Sequence, residues 1–206
     1  MRRLLHRLLW AQSGGTAVEF ALVLPLLLIF MFGTIDVGRF MWTWNRAEKA
    51  TQMGVRFAVA TKMIPQGLYD YDFATSGGIP QGDLIPQSSF GGATCKSTAG
   101  TVSCACNTGA TCPALGTANS DAFTNILNRM DQFMPEIKAS NVEVEYGYSG
   151  LGYAGNPAGS DVAPLVTVRL KSLQFTPITS FLFLTVPLPD FSAGLTLEDG
   201  AGTVSN

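Results

Sequence analysis

The chain has 206 residues, 47% of them hydrophobic, with a single histidine and a formal net charge of −2. That length holds one ordinary domain with accessories, and the apolar surplus is high for a purely soluble protein. The slightly acidic balance leaves no basic footprint of the kind nucleic-acid binding needs, so nucleic acid is excluded as a partner.

The chain opens with "MRRLLHRLLWAQSGG", in which Arg2, Arg3 and Arg7 stand without an acid. Basic residues ahead of an apolar run keep that end in the cytoplasm and send the rest of the chain across, so everything beyond about residue 36 is expected outside. The exported part is distinctly acidic, because without those arginines ten basic residues face fifteen acidic ones.

From Phe20 to Ile35 no residue is charged, and reaching back to Ala17 adds only Glu19. Residues 17–35 are near the lower limit for a spanning helix, which needs roughly 17 to 25 largely apolar residues. The run passes without a turn signal into a segment whose apolar residues recur at Val37, Phe40, Met41, Trp44, Ala47, Val55 and Ala58. That is helical spacing. With no proline between Pro25 and Pro65, a single helix from about Thr16 to Met63 is predicted, about 70 Å long at 1.5 Å per residue. Such a helix outruns any bilayer. Its first half is expected in lipid, kinked at Pro25 where a backbone hydrogen bond is lost. Its second half is expected to lay Phe40, Trp44 and Val55 against a globular head.

Residues 64–118 turn to Gly, Ser, Thr, Pro and Asn, which predicts an irregular excursion. It has few large apolar residues, so cross-links are expected to substitute for a core of its own. Cys95, Cys104, Cys106 and Cys112 all fall here. An even count in an exported segment reads as disulfides, and the spacing lacks the paired CxxC knuckles of zinc sites, so no metal is expected. A bridge between Cys104 and Cys106 would be strained, which leaves two pairings open.

Residues 119–206 are expected to form the head. In "NSDAFTNILNRMDQFM", Asn119 or Ser120 can cap a helix, Phe123, Ile126, Leu127, Met130 and Met134 share a face, and Pro135 stops it. Strand alternation appears next in "NVEVEYGY" and "LVTVRLK", with a weaker run in "SAGLTLED" that offers Leu195 and Leu197. Three strands with one polar face suggest a small antiparallel sheet packed on a helix. The intervening "ITSFLFLTVPLP" is too short for a second span and reads as a buried connection such as a helical turn.

Catalysis finds little support. The one histidine, His6, lies in the basic leader, so a mature Ser-His or Cys-His pair is not expected. Glu143 and Glu145 lie two apart on a strand and read as an outward face alternating with a buried stripe. No glycine-rich phosphate loop follows a strand, and no cofactor is expected. An ordinary secretory signal fits poorly, since the apolar run is long and carries no A-x-A cleavage site.

Glu19 is the residue that asks for a reason. A cut after Gly14 creates an α-amine at Gly15 and makes Glu19 the fifth residue, where a carboxylate complements the helix N-terminus. It can also pair with the α-ammonium of a neighbouring subunit in a low-dielectric membrane, which sets the register of helix on helix. Glycine at the end of a short basic leader, Glu at the fifth position, Phe20 at the sixth and an apolar helix beginning there resemble a type IV prepilin of the tight-adherence (Tad/Flp) branch. The stretch "GGTAVEFALVLPLLLIFMFGTIDVGRFMWTWN" is similar in particular to the TadE-like pseudopilin family.

The resemblance implies a cut between Gly14 and Gly15 by a prepilin peptidase, with Glu19 and Phe20 serving recognition and later packing; a cut after Gly15 is the alternative. It implies a minor pilin acting in assembly of a Tad/Flp pilus, without catalytic activity. The expected partners are the peptidase, other pilins, the assembly platform and the bacterial inner membrane, crossed once with the N-terminus cytoplasmic. The fold expected is α+β and pilin-like: leader 1–14, long helix over 15–63, disulfide-bearing loop 64–118, and a helix-plus-antiparallel-sheet head over 119–206. The competing expectation is an unprocessed, membrane-anchored binding or adhesin module whose exposed loop is the binding surface.

Overall fold

The computed structural model describes residues 15–180 and 185–202. The basic leader with Gly14, residues 181–184 of the apolar connection and the last four residues lie outside them. Helix α1, Gly15–Ala60, runs as one element through Pro25. It stops three residues short of the expected end. There the Thr61 hydroxyl donates back to the Phe57 carbonyl at 2.7 Å. The amides of Lys62 and Met63 leave the helical ladder for the carbonyls of Gly202 and Gly200, at 2.9 and 3.2 Å.

After α1 come α2 (Gln66–Asp70), β1 (Gly92–Thr98), β2 (Thr101–Cys106), α3 (Ser120–Asp131), β3 (Val142–Gly147), β4 (Leu165–Leu170), β5 (Gln174–Phe175), β6 (Val186–Pro187) and β7 (Phe191–Thr196). The chain divides into two compact units. One holds α1 up to Trp42 with Phe175–Val186; the other holds Thr43–Gln174 and the residues from Pro187 onward.

The larger unit is built on a five-stranded antiparallel sheet in the order β2-β1-β3-β4-β7. Register puts Cys95, Val144 and Val168 in one cross-strand row, and Val142, Leu170 and Phe191 in another. All six are buried. On that face pack α3 and the part of α1 from Thr43 on. The helix contributes small side chains, Ala47, Ala50, Thr51, Val55, Ala58 and Val59, all buried at helical spacing. Gly54 continues the row. A Cβ there would lie 2.7 Å from Met130 Cγ of α3 and 3.5 Å from Val168 Cγ1 of β4, so small residues are what let the backbone come this close.

Helix α3 begins where the sequence places its cap: the Asn119 side chain accepts from the Ala122 amide at 2.9 Å. Phe123, Ile126, Met130 and Met134 are buried. Each large apolar side chain so removed from water contributes on the order of 1.5–3 kcal/mol. Arg46 of α1 ties down the chain after α3, donating to the Phe133 carbonyl at 2.9 Å and to both oxygens of Glu136.

Three sequence readings need correction. Residues 64–118 are not wholly irregular, because 92–106 form a hairpin that enlarges the expected three-stranded sheet to five. Its turn, Ala99–Gly100, has φ values of 50° and 83°, the left-handed pair that a two-residue hairpin demands. The same region also feeds the core with buried Leu68, Phe73, Ile85 and Phe90. In β7 the buried residue is Phe191, while Leu195 is 40% exposed. Edge position leaves Leu195 with a neighbour on one side only. Finally, "ITSFLFLTVPLP" is not a buried connection over its described part: Ile178 is 48% and Val186 40% exposed.

Candidate functional site

From Gly15 to Ile35 the helix surface is apolar and open. Val18, Phe20, Leu22, Val23, Leu26, Leu27, Phe30 and Ile35 are all exposed. A surface of this size and polarity in contact with water is unfavourable, which is the physical mark of a lipid- or protein-facing helix. The stretch meets the length and hydropathy needed to cross a membrane. Glu19 is exposed on it, one turn in from Gly15. Among the described residues Glu19 makes no ion pair.

Asp36 is the first residue beyond the charge-free run, and no sequence reading singled it out. It is buried. Its Oδ1 accepts from the Ile178 amide at 2.7 Å and from Arg39 Nη1 at 3.0 Å. Its Oδ2 accepts from the Thr179 amide at 3.0 Å and the Thr179 hydroxyl at 2.8 Å. Burial pushes this carboxyl up, but those amides, the hydroxyl and the guanidinium outweigh it and hold it down at about 2. One turn further on, Phe40 meets Phe175 edge to face, with ring centroids 5.5 Å apart, and the Arg39 guanidinium lies 5.3 Å over the same ring. The signal that could have found Asp36 was an acid at the end of a span, where an unpaired charge is costly.

The other expected positions are distributed differently. Phe40 lies in the smaller unit against Phe175. Trp44 meets Phe191 edge to face at 5.2 Å, and Val55 is buried, both in the larger unit. Cys95 pairs with Cys104 across the β1–β2 ladder, and Cys106 pairs with Cys112, which selects one of the two pairings left open. Gly14, the expected cleavage residue, falls outside the described residues, and Gly15 is the first residue of α1.

Glu143 and Glu145 are engaged rather than free. Lys171 Nζ, just past the end of β4, lies 2.6 Å from Glu143 of β3, and Arg169 of β4 donates to Glu145 of β3 at 2.8 Å. Sequence reasoning also missed the buried Asp161. Its carboxylate accepts the amides of Phe73, Gly155 and Asn156 at 2.7, 3.0 and 2.8 Å, clamping two loops together. Among the described residues no cluster of His, Cys, Asp or Glu is arranged to hold a metal ion.

The long N-terminal apolar helix is thus open along its first half and packed on a five-stranded antiparallel sheet along its second. The family model of TadE-like protein matches residues 14–56, so the N-terminal region of the chain is similar to the TadE-like family. No curated protein and no solved structure matches the chain.

Proposed function

We propose that the chain is a minor pilin, or pseudopilin, acting in assembly of a Tad pilus after a prepilin peptidase cuts between Gly14 and Gly15. The observation that supports this is Glu19, the one charge on the open apolar surface of α1 before Asp36. A carboxylate in that setting is penalised unless it finds a partner. A cut after Gly14 supplies one, the new α-ammonium of an adjacent subunit. Helices docked by this pair bury their apolar surfaces against one another in place of lipid.

N-terminal sequencing or intact mass of the protein from cells with and without their prepilin peptidase tests the reading. A start at Gly15 that depends on the peptidase supports it. A start at Thr16 moves Glu19 to the fourth position and removes the register argument. An intact Met1 terminus overturns processing and leaves a membrane-anchored extracytoplasmic binding module as the better account.

A further inference from the structure

We propose that Ile178 and Val186, exposed apolar residues beside α1, form a second membrane contact that seats in the extracytoplasmic leaflet. This rests on the reading of α1 as a membrane anchor and is independent of cleavage. The geometry is directional. Phe175 sits against Phe40, and three residues later Ile178 and Thr179 sit on Asp36, one helical turn nearer to the charge-free run. At 1.5 Å per residue the loop has therefore descended about 6 Å along the helix towards the bilayer. An apolar groove lined by Gly33, Val37, Phe40, Pro177 and Val186 lies between loop and helix.

Charge points the same way. The chain carries no charged residue from Ser172 to Pro189, just as α1 carries none from Phe20 to Ile35. The one acid at the junction, Asp36, is met by two amides, a hydroxyl and a guanidinium, so it places no uncompensated charge at the boundary. Ile178, Val186 and Val37 stay exposed and continue the open apolar surface of the anchor. That continuity makes lipid the occupant: with α1 as the anchor, acyl chains lie against the residues on one side of the groove. Asp36 is then a positioning residue that pins the loop at interface depth.

The experiment uses the full chain in phosphatidylcholine–phosphatidylglycerol nanodiscs, kept non-reducing so that both disulfides persist. A nitroxide is attached in turn to Ile178→Cys, Ile29→Cys within the span and Asp83→Cys on the exposed head. Collision with oxygen, which partitions into lipid, is compared with collision with a water-soluble nickel chelate. The expected result is a loss of nickel collision at 178 relative to 83, with 29 deeper still. Equal nickel access at 178 and 83, with 29 protected, overturns the loop contact and leaves the anchor intact. Nickel access at 29 overturns the anchor itself. Protection at 178 that fades as protein is diluted in lipid assigns the groove to a second copy and overturns lipid as its occupant. An Asp36→Ala change is expected to raise nickel access at 178 while leaving 29 unmoved; no rise overturns the pinning role.

Discussion

At the scale of single residues, a few polar atoms in apolar surroundings carry most of the consequence. Tyr146 is fully buried, and its hydroxyl accepts the Ile64 amide at 3.1 Å where the chain leaves α1. Burial drives its phenol above the ordinary range, so it stays neutral at any working pH. Tyr146→Phe keeps the ring and orphans a buried N–H, so a loss of about 1–3 kcal/mol is expected in urea unfolding. Asp36 differs in being charged. Its folded carboxyl is held at about 2, below the ordinary 3.8. Its contribution is therefore present above 3.8 and lost as pH falls through about 2. The Ile178 and Thr179 amides should resist hydrogen exchange at pH 5 and lose that protection towards pH 2. Protection unchanged over that range would show that the carboxylate does not hold the loop.

At the scale of elements, the small-residue face of α1 and the cross-linked hairpin decide how the sheet is covered. Gly54→Ala gains about 1 kcal/mol of helix propensity, while the overlap with Met130 costs about 1–3 kcal/mol, so the two nearly cancel or leave a small loss. Gly54→Val adds two methyls towards Val168 without that gain, and a loss of about 2–3 kcal/mol in thermal or urea unfolding is expected. Replacing Cys95 and Cys104 together by alanine opens a short loop, and the hairpin should lose about 2–3 kcal/mol of support. Helices α1 and α3 were legible because their apolar residues recur at 3.6 spacing and α3 carries an Asn cap. The β1–β2 hairpin was not. "GATCKST" and "TVSCAC" are made of small and polar residues with little alternation, and only pairing with β3 gives Ala93 and Cys95 a buried side.

At the scale of the whole molecule, topology ties the elements to a compartment. On the proposed reading the N-terminal charge bias sends the sheet across the membrane, to a side where disulfides persist because the surroundings are oxidising. In spheroplasts, a membrane-impermeant amine reagent should therefore modify the exposed Lys96. All four cysteines should resist alkylation until reduced. Modification of Lys96 only after lysis would place the sheet on the cytoplasmic side and overturn the assigned topology.

The sequence by itself determined the apolar run and the charge bias ahead of it, the acid at position 19, the long helix, α3, the strands β3 and β4 and, more weakly, β7. These arise from local pattern: charge bias, apolar run length and period can be read without knowing what lies across the fold. Tertiary structure alone decided the β1–β2 hairpin, the short strands β5 and β6, the cysteine pairing, the clamp at Asp161 and the seat of Ile178 and Thr179 on Asp36. Each joins residues far apart in the chain, Asp36 and Thr179 by 143 positions. The energy of such a contact comes from excluding water around a hydrogen-bonded group, which a residue acquires only when its distant partner arrives.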